Sequence, residues 1–145
     1  MKKEQQRKVK LIIHSGSQND GSNIAVLEGW YSGRGNLHCL EYAERGEEMK
    51  GTMTRILFLS DHASITRQGT INSKMEFYPD TVKGSYYETQ YGSVYMEIET
   101  RHVAFLSTGT GYEGRIAYKL IFGGDRNNSD ERDMKIQVQF CDEDC

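Results

Sequence analysis

The chain has 145 residues and a formal net charge of −3; 37% of its residues are hydrophobic and 27% are charged. This length predicts one domain with a sizeable core, and the composition argues against a largely disordered protein. Nucleic-acid-binding proteins normally present a basic surface to the phosphates, so the acidic balance argues against nucleic acid as a partner. No stretch approaches the ~20 apolar residues of a membrane-spanning helix, so we expect no membrane association.

The two termini differ in charge from the rest of the chain. The start, MKKEQQRKVK, is basic and is expected to be a short solvated arm, and the end, CDEDC, is expected to be an acidic solvated tail. We therefore predict a single domain over residues 1–145, with a core of about residues 9–140. Cys39, Cys141 and Cys145 are odd in number and lack the spacing of a disulfide framework, so we expect reduced thiols in a cytoplasmic protein.

Apolar residues alternate with polar ones along much of the chain, which is the pattern of half-buried β-strands. In chain order these runs lie at residues 8–13, 53–59, 94–99, 115–122 and 135–140. Turn-forming clusters separate the runs, and the polar segment DRNNSDERD, residues 125–133, is expected to be a long exposed loop. No window shows convincing helical spacing. Nine or ten short strands describe an all-β sandwich or barrel.

The segment GSYYETQYGSVYMEIET, residues 84–100, is predicted to form a β-hairpin. Glycine accepts a positive φ, so we place Tyr91 and Gly92 in a two-residue loop, which pairs Tyr87 with Met96. This register sends Tyr86 and Tyr95 outward with the glutamates, because successive side chains point to opposite faces. The predicted interior set is Ser85, Tyr87, Thr89, Val94, Met96 and Ile98.

Arg67 is the single charge that most suggests a binding site. If the strand ASITRQ continues through it, the guanidinium points into the interior, where it needs a carboxylate or an anionic ligand. Glu44, in the interior phase of its own segment, is a plausible partner. The alternative is a three-residue loop that ends at Gly69 and pairs Ile65 with Ile71, which would leave Arg67 at the rim. The sequence leaves both arrangements open.

Catalytic and metal-binding motifs are weak. GTGYEG, residues 109–114, matches G-x-G-x-x-G, but an alternating strand rather than a helix follows it, so a hairpin connection is expected. The histidines have no partner at metal-ligand spacing, and no serine or cysteine lies in a nucleophile motif. We therefore expect no metal, no cofactor and no enzymatic activity. The remaining alternative is an enzyme that uses Arg67, Glu44 and a tyrosine.

Several short motifs follow one another in a distinctive order. They are GWY at 29–31, LEYAE at 40–44, TRQG at 66–69, MEF at 75–77, YETQYG at 87–92 with MEIET behind it, and IAYKL at 116–120. Their order and spacing resemble the YwiB-like proteins of Gram-positive bacteria, a family of uncharacterised function, over about residues 9–140. The resemblance implies a single calycin-like β-barrel, related in shape to lipocalins and fatty-acid-binding proteins. It carries over no catalytic residue.

We therefore expect an antiparallel meander barrel of about eight to ten strands that binds a small apolar or anionic amphiphilic ligand without catalysis. A cavity of about 300 Å³ or more would favour this function. The alternative is a protein-interaction or homodimerising barrel with a filled interior, which a single exposed patch of Tyr86, Tyr95 and Trp30 would favour. The predicted ligand-binding residues are Tyr42, Glu44, Arg67, Tyr87, Thr89, Met96, Thr100 and Tyr118.

Overall fold

A computed structural model describes residues 6–141 and contains ten antiparallel strands. The strands are β1 (Arg7–Ser17), β2 (Gly21–Arg34), β3 (Leu37–Ala43), β4 (Met53–Phe58), β5 (Ala63–Gln68), β6 (Asn72–Phe77), β7 (Val82–Thr89), β8 (Gly92–Ser107), β9 (Gly111–Phe122) and β10 (Asp125–Phe140). Each strand pairs with its neighbours in sequence, and β1 also pairs with β10, so the meander closes into a barrel. The predicted all-β meander barrel is confirmed.

None of the described residues forms a helix that is long and apolar enough to span a bilayer.

Side-chain alternation places one apolar face of each strand inside the barrel. On β1 the residues Leu11 and Ile13 are buried, and the register with β10 sets them opposite Val138 and Ile136. Removing such side chains from water contributes about 1.5–3 kcal/mol each, as an upper estimate. The barrel wall is therefore held in register by matched apolar pairs on its inner face.

The connections between strands fall at two ends of the barrel. Those of β1–β2, β3–β4, β5–β6, β7–β8 and β9–β10 lie at one end, here called the open end. The opposite, closed end is filled by aromatic rings with centroid distances of 4.5–5.9 Å. These rings belong to Tyr31, His38, Phe58, Phe105, Tyr112 and Phe140. This half of the interior is packed with side chains and leaves the open end as the place for a cavity.

The β7–β8 hairpin turns one residue earlier than predicted. Its two loop residues are Gln90 and Tyr91, and Tyr87 pairs with Val94 rather than with Met96. A tight loop at the predicted position would have forced a positive φ on the aromatic Tyr91. In the structure Gly92 has the positive φ, at +131°, and Tyr91 does not. Each pairing shifts by two residues, so the predicted inner and outer faces are retained.

The polar segment at residues 125–133 is not a long loop, as predicted, but the first part of β10. An irregularity in the register between Asp125 and Ser129 takes up the extra residues, and regular pairing with β9 follows. Asp130 is 1% exposed, so a charged side chain of this segment is fully interior. The prediction was wrong because it equated polarity with exposure.

The cysteines differ in state. Cys39 on β3 is a free, half-buried thiol, and burial raises its pKa. Cys141 is disulfide-bonded, so the expectation of three reduced thiols is wrong at this position. Residues 1–5 of the predicted basic arm and residues 142–145 of the predicted acidic tail lie outside the described residues, while β1 already begins at Arg7.

Candidate functional site

A cavity of about 650 Å³ occupies the open end of the barrel. Its volume exceeds the roughly 300 Å³ expected for a ligand site and lies within the usual range for small-molecule pockets. Inward side chains of several strands line it together with the β3–β4 loop. The apolar part of the wall consists of Met49, Ile65, Met75, Val94, Met96, Leu120, Phe122 and Met134.

Four of these residues are methionines, namely Met49, Met75, Met96 and Met134. The unbranched thioether side chain is flexible and polarizable, so it adapts its shape to what it contacts. A wall of this composition can accommodate apolar groups of different shapes. Leucine and isoleucine would give a more rigid surface.

Arg67 faces the interior because β5 continues through it. Arg67 pairs with Thr54 of β4 and Ser73 of β6, while Ile65 pairs with Met75. The strand is thus continuous, and the three-residue loop that would have placed Arg67 at the rim is not formed. The Arg67 side chain is 15% exposed and lines the cavity.

Glu44 is the carboxylate opposite Arg67, as the sequence suggested. Glu44 Oε2 lies 3.5 Å from Arg67 Nε and accepts a hydrogen bond of 2.5 Å from Thr54 Oγ1. Burial, followed by the negative charge of Glu44, raises the pKa of Tyr42 well above its usual value, so its hydroxyl stays protonated. Arg67 Nε is buried and donates no hydrogen bond within residues 6–141. This guanidinium therefore retains donor capacity that a ligand can use.

A second arginine, Arg132 of β10, reaches the same cavity. Its Nε donates to Asp130 Oδ2 at 2.8 Å. Asp130 also accepts from Ser17 Oγ at 2.6 Å and from the Asn19 amide at 3.0 Å. Burial acts to raise the pKa of Asp130, but the hydrogen bonds from Ser17, Arg132 and Asn19 outweigh it and lower the pKa. Asp130 thus remains charged, holds the β1–β2 turn and fixes the position of Arg132.

Tyr118 is close enough to Arg67 and Arg132 for both positive charges to affect its pKa. It pairs with Arg132 across β9 and β10 and lines the cavity. Burial raises the pKa of Tyr118, while the positive charges of Arg132 and Arg67 act to lower it. The Tyr118 hydroxyl keeps its proton and can donate a hydrogen bond to a ligand. The polar part of the cavity therefore suits a negatively charged group.

Six of the eight predicted binding residues belong to this region. Tyr42 and Glu44 form the group around Arg67, with Tyr42 almost fully buried. The predicted residues that line the cavity directly are Arg67, Tyr87, Met96 and Tyr118.

The other two predicted residues, Thr89 and Thr100, do not line the cavity. The Thr89 hydroxyl accepts a hydrogen bond of 3.0 Å from the Tyr91 amide and so holds the β7–β8 turn. Thr100 is buried, and its hydroxyl has no hydrogen-bond partner within the described part of the chain. The alternation that placed both threonines inside identifies the correct face of the strand but not the depth along the barrel axis.

Sequence reasoning missed Arg132 and Asp130. A signal was present, because the inward phase of Val138 and Ile136 extends backward in steps of two through Met134 to both residues. Extending the period-two pattern into the polar segment would have found them.

The glycine motif lies at the closed end. Residues 107–112 border a second, shallower cavity of about 460 Å³ together with Arg7 and Phe140. The Thr108 hydroxyl accepts a hydrogen bond of 3.0 Å from the Gly111 amide, which closes the β8–β9 turn. The motif is thus a hairpin connection. Among residues 6–141 no three His, Cys, Asp or Glu side chains are close enough together to hold a metal ion.

Comparison with known proteins identifies the chain by sequence and by shape. A family model described as a domain of unknown function (DUF1934) matches residues 8–136. No curated protein matches the chain. The structure is similar to that of the ywiB protein from Bacillus subtilis, with a TM-score of 0.82 over 94% of each chain. At 18% sequence identity this likeness shows a shared fold.

Proposed function

The chain belongs to the DUF1934 family of unknown function, and we propose that it is a non-enzymatic binding protein for a small anionic amphiphile. The anionic group would lie near Arg67, Tyr118 and Arg132, and the apolar part would contact the methionine-rich wall. A cytoplasmic location is part of the same proposal and rests on the sequence.

The observation that supports binding most directly is the unused donor of Arg67. A buried guanidinium normally satisfies its N–H groups, because an unsatisfied buried donor costs about 1–3 kcal/mol, more for a charged group. Arg67 Nε has no hydrogen bond among the described residues, and its only ion pair is a long one of 3.5 Å to Glu44. The Arg67 side chain is 15% exposed and lines the cavity, so an anionic ligand there would give its guanidinium an acceptor.

The charges around the cavity favour an anion over a cation. The Glu44 carboxylate already accepts from Thr54, and Asp130 accepts from Ser17 and Arg132. Both carboxylates are thus engaged, whereas Arg67 retains a free donor. Asp20 and Asp133, at the exposed rim, add two negative charges where the cavity meets solvent. A polar head would therefore bind most favourably at depth, beside the arginines.

Catalysis is not part of the proposed function. Reaction at such a site would need an acid–base pair or an activated nucleophile at hydrogen-bonding distance. In the described part of the cavity, the polar groups near Arg67 and Arg132 instead bond one another. These polar groups are arranged to orient the charged end of a bound ligand.

A thermal-shift titration tests ligand binding directly. We expect decanoate to raise the melting temperature of the wild-type protein, because a ligand that binds only the folded state stabilises it. Decanol, with the same chain and no charge, should give a smaller shift. Arg67→Met should weaken decanoate binding by roughly 10- to 100-fold, the equivalent of one charge-assisted hydrogen bond.

The matched control is Arg101→Met, which removes an exposed arginine that pairs with Glu131 on the outer surface. This variant should bind decanoate like the wild type. Absence of any shift across carboxylates, sulfates and phosphates of different chain length would contradict the proposed function. Equal losses in both variants would contradict the assignment of Arg67.

The interaction-barrel alternative has less support. This alternative predicts that Tyr86, Tyr95 and Trp30 form one exposed patch. Tyr86 and Tyr95 are exposed neighbours with ring centroids 5.1 Å apart, but Trp30 lies on β2, five strands from β7 and four from β8 around the barrel. The open-end cavity also differs from the filled interior that this alternative assumes.

A further inference from the structure

The wall of the barrel has an open edge on β2. The ladder between β2 and β3 extends only from the Trp30–Glu41 pair to the Arg34–Leu37 pair, although β2 begins at Gly21. Just beyond β3, Glu44 lies beside Arg67, which lines the cavity. The segment Gly21–Gly29 therefore pairs with β1 on one side and with no described strand on its other side.

This edge lacks three of the usual features that protect a strand from pairing. Proteins block exposed edges with charged residues, proline, bulges or a covering segment. Residues 21–27 contain no charge and no proline, and their register with β1 is uninterrupted. Two β-branched side chains of the segment, Ile24 and Val26, are 62% and 54% exposed on the outer face. The edge is thus suited to accept another strand.

We propose that this edge pairs with the same edge of a second copy of the chain, so that the sheet continues across a twofold axis at Ala25. Antiparallel pairing about this residue sets Ile24 opposite Val26 of the second copy, and the reverse. Because each copy presents the same patch to the other, the contact closes on itself and forms a dimer rather than a fibre.

The chemistry of the segment fits a second copy. In this register Glu28 lies opposite Ser22, so no like charges face each other. The outer side chains Ile24 and Val26 of the two copies form one apolar strip. Ile12 of β1 pairs with Val26 and extends this strip in each copy. Cross-strand pairs of β-branched residues are favourable in antiparallel sheets. A self-complementary, uncharged edge thus selects its own copy over a charged peptide.

Light scattering coupled to size-exclusion chromatography tests the dimer over a range of protein concentrations. We expect the wild type to be a dimer that dissociates on dilution, since the paired edge is short. Ile24→Lys and Val26→Lys should each be monomeric at every concentration, because each sets a charged lysine against an apolar Val26 or Ile24 of the second copy at the edge. The matched control is Leu106→Lys, which changes a side chain 60% exposed on β8, four strands from β2. It should remain dimeric.

A cysteine pair tests the register. Ala25→Cys, made in a Cys39→Ser background, should form a covalent dimer under mild oxidation, since directly opposed Cβ atoms lie about 4.5–5.5 Å apart. Ser22→Cys in the same background should not cross-link to itself. A wild-type monomer at all concentrations, or a dimer that persists in both lysine variants, would overturn the proposal. A dimer without the Ala25→Cys cross-link would overturn the twofold register.

Discussion

At the scale of single residues, Asp130 shows how a charge can be stable inside a barrel. It is 1% exposed, yet Ser17, Asn19 and Arg132 all donate to it. A carboxylate that accepts several hydrogen bonds is favoured in its charged form, and this outweighs the cost of burial. One side chain thereby fixes both the β1–β2 turn and an arginine of the cavity.

Asp130→Asn should destabilise the protein by about 1.5–3 kcal/mol at neutral pH, the range for hydrogen bonds to a charged group. Folding lowers the pKa of Asp130. Its stabilisation is therefore present above the unfolded pKa of about 3.9 and is lost as the pH falls through the lower folded value. Urea unfolding of both proteins across this acidic range would measure the effect, and the difference between them should shrink as the pH falls.

The control for this variant is Glu131→Gln, one residue along the strand. Glu131 pairs with Arg101 on the exposed surface, and such pairs contribute about 0–1 kcal/mol. A difference between the Asp130→Asn variant and the wild type that stayed constant down to the lowest pH would show that charge at Asp130 is unimportant.

At the scale of elements, the β5–β6 turn and the β3–β4 loop meet at Gly69. Gly69 has φ +132°, and a Cβ there would lie 2.1 Å from the Gly51 carbonyl oxygen. Gly92 in the β7–β8 hairpin has almost the same φ, +131°, but open space around it. The two glycines therefore separate the cost of backbone strain from the cost of a steric clash.

Gly92→Ala should cost about 1–3 kcal/mol through the strained backbone alone. Gly69→Ala should cost about 1–3 kcal/mol more, because the β3–β4 loop must move away. That loop contains Glu44 and Met49, so decanoate binding should weaken in the Gly69 variant only. Urea denaturation and the ligand titration measure the two effects. Equal destabilisation of both variants would show that the β3–β4 loop moves away from the new side chain at no cost in free energy.

The same elements show how far sequence predicts structure. Alternation along β9, as at Ile116 and Leu120, predicts a strand and its buried face. Alternation also predicts that Arg67 lies inside the barrel beside Glu44, with a position at the rim as the alternative. The β7–β8 turn lies one residue before its predicted position because a positive φ is unfavourable at Tyr91. Polarity predicts a loop at the start of β10, whereas Asp130 and Arg132 pair at the cavity, which composition does not show.

At the scale of the whole molecule, the barrel has a packed end and a hollow end. Aromatic rings fill the closed end, and methionines line the open end. Sequence could not distinguish these halves, because tyrosine and methionine can fill an interior as readily as line one. The distinction depends on the depth at which each inward side chain lies, which follows from the register of all ten strands.

The methionines provide the most direct test of ligand binding inside the barrel. Met49, Met75, Met96 and Met134 line the cavity, whereas Met53 is exposed on the outer face. With ¹³C-labelled methionine methyl groups, a decanoate titration followed by NMR reports on both surfaces at once. We predict that the four cavity methyl signals shift together and saturate while the Met53 signal stays unchanged. Saturable binding without movement of the cavity signals would contradict an interior site.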